Sequence, residues 1–203
     1  MWIKICGMTT AAAVEAALEA HVDAIGFVFA RSVRELTPES AAALAGPARG
    51  RVRCVAVTRH PTQAAVDEIV QLFAPDILQS DAEDFMTLRL PAALETLAVV
   101  RAGGAVPLPL PTRILFEGPA SGRGAVSDWS AAGVLARRTQ LVLAGGLNAL
   151  NVAAAIAQVQ PFGVDVSSGV EELPGVKSPA AIVSFVEAVR GARVSASPAA
   201  GGA

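Results

Sequence analysis

The sequence predicts a single-domain α/β protein, a small (β/α)8 barrel of the TIM type. Short apolar runs alternate with helical patterns along most of the 203 residues, which is the order that produces a parallel sheet. Most of these runs are apolar at nearly every position, as expected for strands covered on both faces of a sheet. Eight runs favour a closed barrel, and a six-stranded doubly wound sheet is the alternative.

The predicted strands are the apolar runs Trp2–Cys6, Ala24–Phe29, Arg53–Thr58, Ile77–Gln79, Leu97–Arg101, Arg113–Glu117, Leu141–Ala144 and Val164–Ser167. Helical patterns follow most of them, at Thr10–Ala20, Pro38–Leu44, Gln63–Phe73, Ser130–Arg137, Leu150–Val159 and Pro179–Val189. Start signals support several of these helices. Thr37 and Ser178 each precede a proline, and Asp128 can cap the helix that begins beside Trp129.

Two segments depart from this alternation. Residues 102–111 contain Gly103, Gly104 and three prolines, which a helix does not tolerate, so the fifth crossover is expected to be a reduced, irregular loop. Residues 191–203 are mostly small residues and are expected to be a disordered tail. The barrel is therefore expected to span residues 1–190 as the one domain of the chain.

Composition and charge argue against several classes of protein. The net charge is −2 and no basic cluster is present, which argues against nucleic-acid binding. The two cysteines, Cys6 and Cys54, are too few for a disulfide scaffold and favour a reducing compartment. No secretory leader is apparent, and polar residues and glycines interrupt the uncharged stretch between Arg138 and Asp165, so no membrane span is expected. We expect a cytoplasmic protein.

Two strand-to-helix turns in the second half of the chain are rich in small residues. Residues 143–147 read Leu-Ala-Gly-Gly-Leu, and residues 164–171 read Val-Asp-Val-Ser-Ser-Gly-Val-Glu. Glycine and serine let an anion approach the backbone N–H groups at such a turn. Two turns of this kind after strands 7 and 8 are typical of the phosphate site in (β/α)8 barrels. The sequence therefore indicates a phosphorylated small molecule as ligand.

Other polar residues also follow the carboxyl ends of predicted strands, where the active sites of such barrels lie. Cys6 ends the first strand, Arg31 and Arg34 follow the second, and Glu117 ends the sixth. These groups would meet at the carboxyl-terminal opening of the barrel. Proton transfer on an anionic substrate is suited by such a combination of a thiol, a guanidinium, a carboxylate and an anion site.

Four stretches resemble motifs of the phosphoribosylanthranilate isomerase family. They are Lys4-Ile5-Cys6-Gly7-Met8-Thr9, Gly26–Phe29 with Ser32 and Arg34, Leu143–Asn148 with Asn151-Val152, and Gly163–Glu171 through Pro174–Lys177. The resemblance covers nearly the whole chain. It implies a (β/α)8 enzyme of tryptophan biosynthesis, which converts N-(5'-phosphoribosyl)anthranilate to the corresponding 1-deoxyribulose 5-phosphate by an Amadori rearrangement. It also implies that no metal or organic cofactor is needed.

The resemblance assigns roles to individual residues. Cys6 matches the general base that takes the proton from C2′ of the substrate, and an inert buried cysteine is the alternative. Arg34 matches the residue that pairs with the anthranilate carboxylate, and a surface arginine is the alternative. Asp165 either orients the substrate or is a structural carboxylate. Five residues match the phosphate site of the family: Gly145, Gly146, Ser167, Ser168 and Gly169. The alternative is that these residues serve only to form tight turns.

Two positions depart from the family. The sixth strand ends in Glu117, where the family usually has an aspartate as the general acid for opening the sugar ring. The extra methylene requires compensation, which we expect in the following loop around 121–124; Asp128 suits an N-cap better than the acid. Gln79 matches a substrate-binding residue of the family. Asp81 stands where the family commonly has histidine, and we expect this replacement to adjust the site without abolishing its function.

Other functions remain as alternatives. A metal-dependent epimerase is disfavoured because His21 and His60 do not form a metal-like cluster in the sequence, and we expect surface or capping roles for both. A non-catalytic phosphoribosyl binder that has lost its acid is a third possibility. The expected partner is a small phosphoribosyl substrate, and both a monomer and a homodimer fit the sequence.

Overall fold

The structure is a computed structural model that describes residues 1–118 and 127–195, with side chains described up to residue 192. Eight parallel strands form a closed barrel, because the first strand pairs with both the second and the eighth. The strands are β1 (Trp2–Cys6), β2 (Ala24–Val28), β3 (Arg53–Val57), β4 (Ile77–Asp81), β5 (Glu95–Arg101), β6 (Arg113–Glu117), β7 (Gln140–Leu143) and β8 (Gly163–Val166). The predicted (β/α)8 barrel is confirmed, and the doubly wound alternative is wrong.

The described residues include six α-helices: α1 (Ala11–Glu19), α2 (Pro38–Ala45), α3 (Gln63–Leu72), α4 (Trp129–Ala136), α5 (Val152–Val159) and α6 (Pro179–Ser195). The Thr37 side chain caps α2 by accepting from the backbone N–H of Ser40, as predicted. The last helix ends later than predicted, at Ser195 instead of Val189. It thus includes 191–195 of the segment expected to be a tail, and 196–203 lie outside the described residues. None of the described helices combines the length and apolar character needed to cross a membrane.

Two consecutive crossovers lack an α-helix. Residues 102–112, between β5 and β6, form the irregular loop that their glycines and prolines predict. Between β4 and β5 there is only a short 3-10 turn, at Asp84–Met86. The sequence singled out only the fifth crossover, since residues 82–94 contain no glycine and a single proline to mark an irregular segment. The helical layer is therefore thin on this side of the barrel.

A hairpin that the sequence did not predict follows β8. Its strands, β9 (Glu171–Leu173) and β10 (Val176–Lys177), pair antiparallel and place Lys177 opposite Glu171. The connecting turn needs Gly175, because its φ of +85° lies in the left-handed region. A Cβ at Gly175 would also lie 2.7 Å from the carbonyl oxygen of Val33. The hairpin therefore packs closely against the loop that follows β2.

Two apolar layers hold the barrel together. The larger layer lies between the strands and the helices and includes Phe27, Phe73 and Phe185. A smaller layer fills the barrel with residues such as Val55, Leu97, Leu115 and Val142. Because successive side chains of a strand point to opposite sides, every second residue faces inward. Beyond this packed layer, at the carboxyl ends of the strands, polar side chains such as Gln79 and Glu117 face inward together with Val28 and Val57.

The start of α4 provides a test of local stability. The Asp128 carboxylate accepts hydrogen bonds from the backbone N–H groups of Ser130 and Ala131, both at 3.0 Å. We expect Asp128→Ala to lower the free energy of unfolding by about 1 kcal/mol, because it leaves these helix donors without a cap. Asp128→Asn keeps a capping oxygen and should lose much less. Urea unfolding of both variants measures the difference, and equal loss in the two would contradict the capping role.

Candidate active site

A cavity of about 220 Å³ opens at the carboxyl ends of the strands. Residues at its wall come from β1 to β6 and from β8, or from the loops that follow them. The cavity brings together six of the ten residues that the sequence predicted for the site: Cys6, Arg34, Gln79, Glu117, Asp165 and Ser167. The other four, Gly145, Gly146, Ser168 and Gly169, do not line it and belong to two neighbouring turns.

Cys6 lies at the end of β1 beside a buried ion pair. The Nζ of Lys4, which is fully buried, donates to Oδ1 of Asp165 at 2.8 Å. Gly26 on the neighbouring strand leaves room for both side chains, since a Cβ there would lie 3.1 Å from Cys6 Sγ and 3.2 Å from Lys4 Nζ. Asp165 therefore has a structural partner and also lines the cavity. The two roles considered for it are compatible.

The charges around Cys6 act in opposite directions. Burial raises the pKa of the Cys6 thiol above its ordinary value, and the Asp165 carboxylate adds to this rise. The ammonium groups of Lys4 and Lys177 oppose it by stabilising the thiolate. Burial also lowers the pKa of Lys4, but the attraction of Asp165 and Cys6 is larger, so the pKa of Lys4 lies above its ordinary value. The resting site thus holds a thiol next to a firmly protonated lysine.

Arg34 is held by a bidentate ion pair. Its Nε and Nη2 donate to the two carboxylate oxygens of Glu171 at 2.6 and 2.8 Å. The buried Lys177 donates to the same carboxylate at 2.7 Å. Burial alone would raise the pKa of Glu171, but the hydrogen bonds from Arg34 and Lys177 lower it to about 2. Because the Arg34 side chain is only 12% exposed, the alternative of a surface arginine is wrong, while its binding role stays a prediction.

The two glycine-rich turns lie against each other beside the cavity. A Cβ at Gly169 would lie 1.9 Å from the carbonyl oxygen of Leu147, so only glycine permits this approach. Gly145 and Gly146 have φ values of +89° and +65°, in the region that favours glycine. Ser168 begins a short 3-10 helix directly after β8. Turn geometry accounts for these glycines, and their contact with a phosphate stays a prediction.

Ser167 connects this pair of turns to the ion-pair cluster that Arg34, Glu171 and Lys177 form. The Nζ of Lys177 lies 3.0 Å from the Ser167 carbonyl oxygen and 3.1 Å from its hydroxyl oxygen. Lys177 therefore connects the turn after β8 to Glu171, and through Glu171 to Arg34. A buried ammonium group at the base of this turn favours an anion nearby.

Gln79 and Glu117 face the cavity from β4 and β6. The Gln79 side chain is buried, and its Oε1 accepts no hydrogen bond from the described residues. A buried carbonyl oxygen of this kind usually has a donor partner. Gln79 thus presents an acceptor that suits a hydroxyl or N–H group of a ligand.

Glu117 belongs to a second ion-pair cluster. Arg101, at the end of β5, lies with its Nη2 3.2 Å from Glu117 Oε1. The Nη1 of Arg101 donates to Oδ1 of Asp81, whose side chain is only 2% exposed. Asp81, Arg101 and Glu117 end three consecutive strands. The loop around 121–124, where compensation for the longer glutamate was expected, lies outside the described residues.

His60 lies closer to acidic residues than the sequence suggested. Its Nδ1 is 3.0 Å from Asp84 Oδ1, and its Nε2 is 3.2 Å from Asp81 Oδ2. Together with Glu83, His60 and Asp81 form a group whose ligand atoms lie within 4.8 Å of one another, so the expectation that His60 stands apart from any such group is wrong. The hydrogen bond to Asp84 raises the pKa of His60. The hydrogen bond to Asp84 and the proximity of Asp81 account for the position of His60 beside these carboxylates.

Three residues of the two clusters had no predicted role: Glu171, Lys177 and Arg101. Glu171 and Lys177 lie inside the last motif that carried the family resemblance. The motif therefore contained both residues, but it did not reveal that they form ion pairs with each other and with Arg34. Arg101 ends the fifth apolar run. The rule that selected Glu117 at the end of the sixth run also applies to Arg101.

Comparisons with known proteins indicate the family of this chain. A family model described as N-(5'phosphoribosyl)anthranilate (PRA) isomerase matches residues 3–188. The chain is 41% identical to the N-(5'-phosphoribosyl)anthranilate isomerase of Rhizobium etli strain CIAT 652, over 94% of each chain. The crystal structure of TrpF from Jonesia denitrificans is similar with a TM-score of 0.78 and 35% identity, covering 95% of this chain and 98% of the other.

A solved structure with a ligand is also similar to this chain. It is a phosphoribosyl anthranilate isomerase in complex with reduced 1-(o-carboxyphenylamino)-1-deoxyribulose 5-phosphate. The TM-score is 0.79 at 28% identity, with 94% of this chain and 99% of the other covered.

The cluster of Glu171, Arg34 and Lys177 predicts a pH-dependent contribution to stability. Since the folded-state pKa of Glu171 is about 2 and a free glutamate titrates near ~4.3, the contribution is fully present above about pH 4.3 and is lost as the pH falls towards 2. We expect Glu171→Gln to lower the free energy of unfolding at neutral pH and to flatten its decline over this acid range. Glu172→Gln, at the exposed neighbouring residue, is the control. Denaturant unfolding between pH 2 and 7 would contradict the prediction if the two variants behaved alike.

The environment of Cys6 predicts slow alkylation near neutral pH. In Cys54→Ala, Cys6 is the remaining cysteine of the chain. Because iodoacetamide reacts with the thiolate, we expect its rate to reach half of the maximum above the ordinary thiol value of about 8.5. Mass spectrometry follows the reaction, with glutathione as the reference thiol. A midpoint below that of glutathione would show that the lysines outweigh burial.

Proposed function

The chain belongs to the N-(5'-phosphoribosyl)anthranilate isomerase family, and from this premise we propose that its cavity isomerises N-(5'-phosphoribosyl)anthranilate with Cys6 and Glu117 as base and acid. The product is 1-(2-carboxyphenylamino)-1-deoxyribulose 5-phosphate, and the reaction is a step of tryptophan biosynthesis. One observation carries the assignment of residues. The only thiol at the cavity wall among the described residues, Cys6, and the carboxyl group of Glu117 face the same cavity from β1 and β6.

The reaction needs one proton donor and one proton acceptor. In its protonated form, Glu117 gives a proton to the ring oxygen of the ribose while the C1′–O bond breaks and the bond between the anilino nitrogen and C1′ becomes the double bond of a Schiff base. The thiolate of Cys6 then takes the proton from C2′. The enolamine that results becomes the ketone when C1′ takes up a proton and the C2′ hydroxyl loses one. No atom is gained or lost, so the acid and the base suffice for the proposal without a metal or organic cofactor.

Cys6 has to lose its proton before it can act as a base. Burial disfavours the thiolate, but the buried ammonium groups of Lys4 and Lys177 stabilise it. Lys4 is itself kept protonated by Asp165, at 2.8 Å. We therefore assign Lys4 the role of counter-ion to the thiolate, and Asp165 the role of holding Lys4 in place at the cavity wall.

The two anionic ends of the substrate suit opposite sides of the cavity. We place the phosphate at the paired turns that contain Gly145, Gly146, Ser167, Ser168 and Gly169. Their small residues leave backbone N–H groups accessible, and the buried Lys177 lies at the base of the second turn. The anthranilate carboxylate is assigned to Arg34. Its described contacts with Glu171 use Nε and Nη2, so Nη1 remains to donate to a carboxylate.

Gln79 suits the sugar portion of the substrate, which lies between these two ends. Its buried Oε1 accepts no hydrogen bond within the described parts of the chain. A ribose hydroxyl would supply the missing donor. This contact would hold the sugar chain between Cys6 and Glu117, where both proton transfers take place.

Replacing the acid and the base separately tests the proposal. We expect Cys6→Ala and Glu117→Gln each to lower kcat by about 10²- to 10⁴-fold, the usual contribution of general acid–base catalysis. Cys54→Ala is the matched control, because Cys54 is buried outside the cavity, and it should keep its turnover. Freshly prepared phosphoribosylanthranilate and the fluorescence of the anthranilate group provide the assay.

Binding separates catalysis from mere recognition. The reduced product analogue should bind the wild type and Cys6→Ala with similar Kd, since the thiol acts on a proton and not on affinity. Near-wild-type turnover of Cys6→Ala would refute the assignment of the base. Tight binding by a wild-type protein without turnover would instead indicate a phosphoribosyl binder.

A further inference from the structure

We propose that Arg101 is a positioning residue for Glu117 and that Asp81 holds Arg101 in place for this task. The inference rests on the proposed function, because it concerns how the acid of that reaction is held. Arg101 bridges the two carboxylates: Nη1 binds Asp81 and Nη2 lies 3.2 Å from Glu117 Oε1. All three side chains line the cavity.

The strand register brings the three residues together. In the β5–β6 ladder, Arg101 lies directly opposite Glu117. In the β4–β5 ladder, Asp81 lies opposite Val99, two positions before Arg101, so Asp81 and Arg101 point to the same side of the sheet. The closed barrel makes that side the interior. The cluster thus follows from the backbone as well as from side-chain conformation.

A glutamate needs such support more than a shorter acid would. Its extra rotatable bond gives the carboxyl group more positions, and fixing one of them costs conformational entropy. A contact to Oε1 from a planar guanidinium restricts both the location and the tilt of the carboxyl group. Because rates fall steeply when a reacting group is displaced by about 1 Å, this restriction is expected to be visible in kcat.

Arg101 also suits the charge that develops on the acid. When Glu117 gives its proton to the ring oxygen, a carboxylate forms, and a guanidinium already at hydrogen-bond distance stabilises it without further reorganisation. Asp81 offsets part of the Arg101 charge. Its side chain is 2% exposed, and the imidazole of His60 and the guanidinium of Arg59 face its other oxygen, Oδ2, at 3.2 and 3.9 Å. These two contacts are charge contacts only, since Asp81 Oδ2 accepts no hydrogen bond from the described residues. Asp81 holds Arg101 through the hydrogen bond from Nη1 to its Oδ1.

The competing role for Arg101 is direct contact with an anionic group of the substrate. An arginine at a cavity wall is able to bind a carboxylate or a phosphate. That role would change substrate affinity whether or not Glu117 is present, whereas a positioning role acts only through Glu117. A double-mutant cycle distinguishes the two.

The cycle combines Arg101→Gln with Glu117→Gln and measures kcat, KM and the Kd of the reduced product analogue. We expect Arg101→Gln to lower kcat by about 10- to 100-fold in the wild-type background. In the Glu117→Gln background the same change should lower kcat by less than about threefold, since the group that it positions is already absent. KM and Kd should stay within about threefold in both backgrounds. Circular dichroism checks that each variant folds.

Arg53→Gln is the matched control. Arg53 is also an arginine on a barrel strand, paired with Glu95 at 2.6 Å, but it begins β3 at the opposite end of the barrel. It should leave kcat unchanged. If Arg101→Gln does not fold, Asp81→Asn replaces it in the cycle, because it weakens the hold on Arg101 and keeps the guanidinium; we then expect at least about a threefold loss of kcat that disappears in Glu117→Gln.

Each outcome of the cycle decides the proposal. An equal loss of kcat in both backgrounds, a rise of KM with unchanged kcat, or no effect of Arg101→Gln would overturn the positioning role. The proposed function fails by a different measurement, since near-wild-type turnover of Glu117→Gln alone would refute Glu117 as the acid. If Glu117→Gln lowers kcat but Arg101→Gln lowers it equally in both backgrounds, only the positioning role of Arg101 is refuted.

Discussion

The buried ion pair of Lys4 and Asp165 is the interaction on which the site depends. It joins the first strand to the last, because the two residues lie opposite each other where β1 and β8 close the barrel. Burying two charges is costly, and loss of either partner would leave an uncompensated charge in the interior. The pair is therefore weak evidence for stability. Its ammonium group lies beside Cys6, where an apolar pair could not support a thiolate.

The alternation of side chains along parallel strands explains how the protein can place many polar side chains in one site and remain stable. Inward positions deep in the barrel are occupied by Val55, Leu115, Val142 and similar residues, while the polar side chains that line the cavity lie at the carboxyl ends of the strands. Each polar residue at the mouth is thus supported from below by a packed layer. Removing water from that layer also strengthens the electrostatic interactions above it.

Two ion-pair clusters follow the same design at different parts of the rim. In one, Glu171 holds Arg34; in the other, Asp81 holds Arg101. In each case a largely buried carboxylate fixes a guanidinium, which limits its conformational freedom and offsets its charge. A guanidinium that is already oriented loses less entropy when a ligand or an acid binds to it. The first cluster connects segments that are far apart in the chain, whereas the second joins the ends of three consecutive strands.

The sequence by itself determined the order of the strands, the position of the polar residues at their ends and the two glycine-rich turns, because periodicity and turn chemistry are local properties. Cys6, Arg34 and Glu117 could be selected in this way. The resemblance added roles for them, and the comparisons establish the family. Only the tertiary structure decided the partners: Asp165 for Lys4, Glu171 for Arg34 and Arg101 for Glu117. These contacts depend on strand register, on the unpredicted hairpin after β8 and on closure of the barrel, and no local pattern encodes which side chains such distant segments bring together.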